Sequence, residues 1–153
     1  TGELIGINSQ ILSTSGGNIG IGFAIPSNMA RNVMDQLIKT GKVHRGQLGV
    51  GIQPMTPELA NQFGLSETRG VLVNTVTDNG PAAQAGIRRG DVIIAFNGKP
   101  VSDGNALRNE IASTAPGTQV QITVVRDKRE QQLQVTLGEY QPPRTAESRN
   151  TLR

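Results

Sequence analysis

The run Ala85-Gly86-Ile87-Arg88-Arg89-Gly90-Asp91-Val92-Ile93-Ile94-Ala95-Phe96-Asn97-Gly98-Lys99 constrains the fold more than any other part of this chain. Pro81 opens a short helical stretch that ends at Ala85, and Gly86 stands where a left-handed C-cap suits glycine. Gly90-Asp91 turns the chain into Val92 to Phe96, whose apolar continuity reads as a buried strand. Asn97-Gly98 is a two-residue hairpin signal, because a type I′ turn needs positive φ at both positions. Helix, glycine turn, buried strand and tight hairpin thus follow in immediate succession.

Composition agrees with a small, turn-rich fold. The chain has 153 residues, 19 of them glycine, with 3% aromatics and no tryptophan, so its core has to come from Val, Ile and Leu. Without cysteine there is no disulfide and no thiolate metal site. Asp78, Asp91 and Asp103 lack ligand spacing, and the last two read as turn and cap residues. Gly20-Ile21-Gly22 lacks the rest of a dinucleotide fingerprint. No metal and no cofactor are expected. No apolar run reaches the ~18 residues of a membrane span. The net charge of +3 is carried by the flanks: residues 46–140 hold eight basic against nine acidic side chains. Nucleic acid is therefore not an expected partner, since it calls for basic residues gathered on a folded face.

Three parts can be distinguished. In residues 1–27 the apolar segments Leu4–Ile7 and Ile19–Ile25 flank the polar loop Ser13–Asn18, which reads as a hairpin with a long loop. A helix follows, capped by Ser27 or Asn28 and closed near Gly41, with Met29, Val33, Leu37 and Ile38 on one buried stripe. A two-stranded hairpin is marginal in water, so residues 1–43 need something to pack on. Residues 46–140 form the main module. It has a glycine-interrupted strand at Leu48–Ile52, a short helix at Pro57–Phe63, a strand at Gly70–Val76 and the signature run. A helix from Ser102-Asp103 to about Thr114 follows, then two half-buried antiparallel strands, Gln119–Val125 and Gln131–Leu137, joined by Asp127-Lys128. Residues 141–153, with Pro142-Pro143 and no apolar period, are expected to be a disordered tail or linker. The opening Thr1-Gly2-Glu3, without methionine, reads as the interior of a domain and hence as a piece of a longer protein.

The signature run resembles the core of PDZ domains, which bind peptides. Other motifs widen the likeness. Leu4-Ile5-Gly6-Ile7-Asn8, Asn18-Ile19-Gly20-Ile21-Gly22-Phe23-Ala24-Ile25-Pro26-Ser27 and Gly41-Lys42-Val43-His44-Arg45-Gly46-Gln47-Leu48-Gly49-Val50 resemble the bacterial HtrA (Deg) serine proteases. The resemblance covers about residues 1–140. It implies a mainly β chain with short helices: a PDZ domain, that is, a partly open antiparallel β-barrel with two or three helices, at residues 46–140. Before it, residues 1–45 match the last strands, closing helix and linker of a chymotrypsin-like double β-barrel. It further implies a periplasmic parent protein, a trimer or higher oligomer, acting as an endopeptidase in envelope quality control. This fragment alone is expected to be a monomer.

The family's catalytic serine lies in a Gly-Asn-Ser-Gly-Gly-Pro turn before the match to Leu4, with its histidine and aspartate further upstream. None of these is in the present sequence. Ser15-Gly16-Gly17 has Thr14 for the asparagine and Asn18 for the proline, and falls between the two matched strands. The single histidine, His44, lies in the linker, away from any nucleophile. No catalytic residue is expected, and the isolated chain is not expected to cleave peptides.

What the resemblance does assign is binding. Ile7, Asn8, Phe23 and Ile25 match the walls of the protease specificity pocket, although Ile7 and Phe23 read equally well as barrel core. Gln47, Leu48, Gly49 and Val50 match the PDZ carboxylate-binding loop, and Gly51 and Ile52 the edge to which a peptide strand adds. Leu107, Arg108 and Ile111 are the opposite wall. Leu107 and Ile111 also read as core, and Arg108 as a solvated surface residue. The Pro57–Phe63 helix is expected beside this groove. The ligands implied are apolar C-termini or extended apolar segments of misfolded proteins, with the remainder of the protease domain as the other partner. The alternative is a stand-alone PDZ adaptor with no protease role.

Overall fold

The structure is a computed structural model and describes residues 2–65 and 68–141. All but the first residue of the expected tail therefore lies outside the described residues. The chain divides into two compact units, Thr1–His44 and Arg45–Arg153.

In the first unit, strand β1 (Gly6–Ile11) pairs antiparallel with β2 (Gly22–Pro26), and helix α1 (Ser27–Thr40) follows directly. The hairpin is displaced from the apolar runs, because β1 takes in the polar Asn8-Ser9-Gln10. Pro26, not Ser27 or Asn28, occupies the N-cap of α1, and no side chain caps the helix. The Asn28 side chain instead accepts the N–H of Met29 at 2.8 Å. The expected buried stripe is covered only in part: Met29 and Val33 are half-buried, but Leu37 is 48% and Ile38 75% exposed. The reason is geometric. Two strands and one helix enclose no core of their own, and no residue of α1 is buried.

The second unit is built on an open sheet of order β4-β5-β6-β8-β9, with β7 paired to β6. Its strands are β4 (Val50–Pro54), β5 (Val71–Val76), β6 (Val92–Phe96), β7 (Lys99–Pro100), β8 (Gln119–Arg126) and β9 (Arg129–Thr136). The short strands β3 (Gly46–Gln47) and β10 (Gly138–Glu139) pair separately. The expected strand at Leu48–Ile52 thus starts two residues later, at Val50, and runs on to Pro54. The sheet buries side chains on both faces. Val71, Val73, Ile93, Ile122 and Val124 belong to one apolar cluster, together with Leu107 and Ile111 of α4 (Gly104–Ser113) and Ala82 of α3 (Pro81–Gln84). Leu72, Val92 and Val125, each one position out of step, belong to a second cluster with Met55, which follows β4, and with Ala60 of α2 (Pro57–Phe63). Helix α2 therefore covers the opposite face of the sheet and does not border the groove where the sequence suggested it.

Both expected tight turns form. Asn97 and Gly98 have φ of 47° and 77°, and Asp127 and Lys128 have 50° and 61°. Asp91 does more than turn the chain. Its carboxylate is bonded by Arg126 Nε at 2.7 Å and an Arg126 terminal nitrogen at 2.7 Å, and also accepts the Arg88 N–H at 2.8 Å. A third bond of that guanidinium, from the same terminal nitrogen to the carbonyl of Gly86 at 2.7 Å, closes the loop 86–91 onto the hairpin end. Hydrogen bonding to Asp91 raises the Arg126 guanidinium above its ordinary value.

Helix α4 is capped as expected by Asp103, whose Oδ1 accepts the N–H groups of Asn105 and Ala106 at 2.8 and 2.9 Å. These bonds, Ala106 foremost and then Ser102 and Asn105, hold the carboxyl below its ordinary value of 3.8. A carboxyl lowered by folding adds stability that is present above its unfolded value and lost as the pH falls through the folded one. Asp103→Ala is therefore expected to lower the melting temperature by a few degrees at neutral pH. The gap should close in acid well below pH 3.8, which thermal unfolding at the two pH values checks.

Candidate functional site

Strand β4 is an edge strand, paired with β5 on one side only. Between its other side and α4 runs a groove of about 330 Å³, within the usual size of ligand pockets. Val50 and Ile52 line it from β4, and Leu107, Arg108, Ile111 and Ala112 from α4. Arg45, Gly46, Gln47, Leu48 and Tyr140 complete it. Leu107 and Ile111 are groove and core at once: Leu107 is 0% and Ile111 8% exposed, and both belong to the main apolar cluster. They form a floor that cannot yield without disturbing the fold.

The loop leading into β4 has a particular polarity. The Leu48 carbonyl accepts the Ala82 N–H at 3.0 Å and the Gly49 carbonyl accepts the Thr77 N–H at 2.9 Å. With both carbonyls turned toward the body of the unit, the N–H groups of Leu48 and Gly49 donate to no acceptor among the described residues. Gly49 holds this arrangement at φ 76°, a left-handed conformation that suits glycine. Successive unsatisfied N–H groups make a concavity for an anionic oxygen. The charges lining the groove have the same sense. They are Arg45 and Arg108, the latter held by Asn105 Oδ1 at 3.2 Å, and no carboxylate lines it.

Of the residues singled out from the sequence, the groove brings together Gln47, Leu48, Val50, Ile52, Leu107, Arg108 and Ile111. Gly49 and Gly51 shape the loop and strand without lining it; Gly51 lies opposite Thr75 in β5. Gly46, at the carboxylate-binding loop, and Ala112, on the helix wall, line it too, as do Arg45 and Tyr140, which were not anticipated. Arg45 and Tyr140 arrive through the β3–β10 pair and the bond from the Tyr140 N–H to the Arg45 carbonyl at 2.8 Å, a contact with no local sequence signal. In the first unit, Ile7 and Ile25 are cross-strand partners, Asn8 faces Ala24 and Phe23 faces Gln10. All four of the residues matched to the protease pocket are exposed in this chain. Among the described residues no group of His, Cys, Asp and Glu could hold a metal ion, and no helix is long and apolar enough to cross a membrane.

Residues 46–137 match the PDZ domain family. The chain belongs to that family. Its second unit is thus a PDZ domain, and the β4–α4 groove is the groove of that domain. The similarity extends further along the chain. A probable periplasmic serine endoprotease, DegP-like, of Brucella suis is 50% identical over 138 residues, covering 90% of this chain and 27% of the relative. The periplasmic pH-dependent serine endoprotease DegQ of Escherichia coli is 46% identical over 136 residues, covering 89% of this chain and 30% of the relative. The chain therefore spans less than a third of the length of these proteins. Among solved structures, the HtrA-type protease AlgW with a tripeptide superposes with a TM-score of 0.78 at 46% identity, over 93% of this chain and 47% of that one. An AlgW variant with a decapeptide gives 0.77 at 46% identity, over 95% and 44%. Residues 45–153 make up less than three quarters of the chain, so matches over nine tenths of it take in most of the first unit as well. This PDZ domain and the hairpin–helix unit before it are thus similar to the corresponding parts of HtrA-type proteases.

Proposed function

We propose that the PDZ domain binds the C-termini or extended apolar segments of misfolded proteins and forms the regulatory, substrate-binding arm of an HtrA-like serine endopeptidase in the bacterial periplasm. The observation that carries this reading is the groove itself. A free strand edge, Val50–Ile52, faces an apolar helix wall, and the N–H groups of Leu48 and Gly49 stand unsatisfied in the loop that enters it. A peptide adding to β4 places alternate side chains on the floor of Leu107 and Ile111, and its terminal carboxylate takes the free N–H groups. The peptides in the AlgW structures and the periplasmic names of the relatives support the assignment. The exposed apolar side chains of the first unit, Ile5, Ile7, Phe23 and Ile38 among them, favour an arm of a larger protein over a stand-alone adaptor. In this reading Ile7, Asn8, Phe23 and Ile25 wall the specificity pocket once the rest of the protease domain is present.

Titrating the chain with a short peptide ending in Val-Tyr-Phe, as the free acid and as the amide, tests the mechanism. The amide should bind at least about ten-fold more weakly, because charge-assisted bonds to the carboxylate are lost. Equal affinity would remove C-terminal recognition and leave binding of internal segments.

A further inference from the structure

A second cavity, of about 430 Å³, lies beside α2, next to Phe63, whose side chain packs in the apolar cluster on the face of the sheet away from the peptide groove. Its charge is one-sided. Arg88, Arg89, Arg126 and Lys128 line it, against the carboxylates of Asp91 and Asp127, so four positive charges face two negative ones. Arg126 and Asp91 neutralise each other in their bidentate pair. The side chains of Arg88, Arg89 and Lys128 make no hydrogen bond or ion pair among the described residues. The framework beneath them is firm. The Asp91 side chain is 2% exposed, and through the Arg88 N–H and the Gly86 carbonyl its pair with Arg126 ties down the loop that carries both arginines. The Lys128 stem lies against Gly64, the C-cap residue of α2.

The geometry points to an anion-binding site that takes a phosphate-bearing polyanion. Two adjacent guanidinium forks with a nearby ammonium suit the tetrahedral oxygens of phosphate better than a single planar carboxylate. Their backbone is already fixed, so only the side chains need ordering on binding. The cavity exceeds what one phosphate fills, which favours a diphosphate or a phosphorylated headgroup. This site is separate from the peptide groove and does not depend on the reading given to that groove.

The probes are sodium pyrophosphate, and vesicles of phosphatidylcholine with and without phosphatidylglycerol, added to the full 153-residue chain. Pyrophosphate should shift the amide resonances of residues 88–91 and 127–128, with an affinity that falls as salt is raised. The double variant Arg89→Gln/Lys128→Gln removes two exposed charges and no core contact, and should bind about ten-fold more weakly or worse. Lys99→Gln/Arg129→Gln removes the same charge outside the cavity and should bind as the unaltered chain does. Shifts at these amides with pyrophosphate alone identify a soluble ligand. Shifts with both probes, or with the phosphatidylglycerol vesicles alone, identify a lipid headgroup. No shift at these amides with either probe, or equal binding by the first double variant, overturns the site.

Discussion

Arg126→Met is expected to destabilise the PDZ domain by about 3–5 kcal/mol. The Asp91 carboxylate is buried, and its bonds are two from Arg126 and one from the Arg88 N–H. Removing the guanidinium leaves a buried carboxylate with one backbone donor, and releases the Gly86 carbonyl as well. A domain of this size has about 5–15 kcal/mol in hand, so the melting temperature should fall by about 15 °C or more. Arg126→Lys keeps the charge but not the fork, and should fall between the two. The double variant Asp91→Leu/Arg126→Met should recover most of the loss, because the large cost lies in the stranded charge and not in the absence of the pair. Urea unfolding of the set measures this. A loss below about 1 kcal/mol in Arg126→Met would mean that water reaches Asp91 and that the pair is a surface one.

The pair also shows where a reading of the sequence stops. Asp91 has a sufficient local explanation as a turn residue, and nothing near it mentions Arg126, which is brought to it only by the β6–β8 pairing. Local signals carried the elements well. Asn97-Gly98 and Asp127-Lys128 make the turns their chemistry demands, and Val120, Ile122 and Val124 face inward as their alternation requires. The misplacement of α2 had a remedy in the sequence. Val71-Leu72-Val73 and Val92-Ile93-Ile94 are unbroken apolar runs, the pattern of strands covered on both faces, and a second covering layer needs a helix. The apolar Leu59, Ala60 and Phe63 supply it.

The groove was legible to the extent that its walls are regular elements. Its β4 and α4 residues follow from strand and helix periodicity. Arg45 and Tyr140 depend on strands of two residues each, too short to leave a pattern. The first unit presents the reverse case. The apolar stripe on α1 is plain in the sequence, and so is its need for a partner, but among the described residues nothing covers its C-terminal half. Leu37 and Ile38 remain exposed for that reason and not because the periodicity misled.

Gly46→Ala should couple the fold to the groove more tightly than any change to a groove side chain. A Cβ at this position would stand 2.5 Å from the Ile111 carbonyl oxygen and 2.7 Å from that of Thr114. Both are backbone atoms at the end of α4. Gly46 is not among the residues with positive φ, so its conformation would accept alanine and the cost is steric. Overpacking of this kind costs typically about 1–3 kcal/mol, and the upper end applies here because β3 is held from its other side by β10. Either β3 or the last turn of α4 has to move, and that turn carries Ile111. Peptide affinity should therefore fall together with stability, by about ten-fold, when measured where the variant is still folded. Arg126→Met, at the end of β8 and not among the residues that line the groove, should lower stability and leave the affinity of the folded domain unchanged. If Gly46→Ala were destabilised but bound peptide normally, β3 would have yielded without α4, and the close contact of strand and helix would not be what sets the width of the groove.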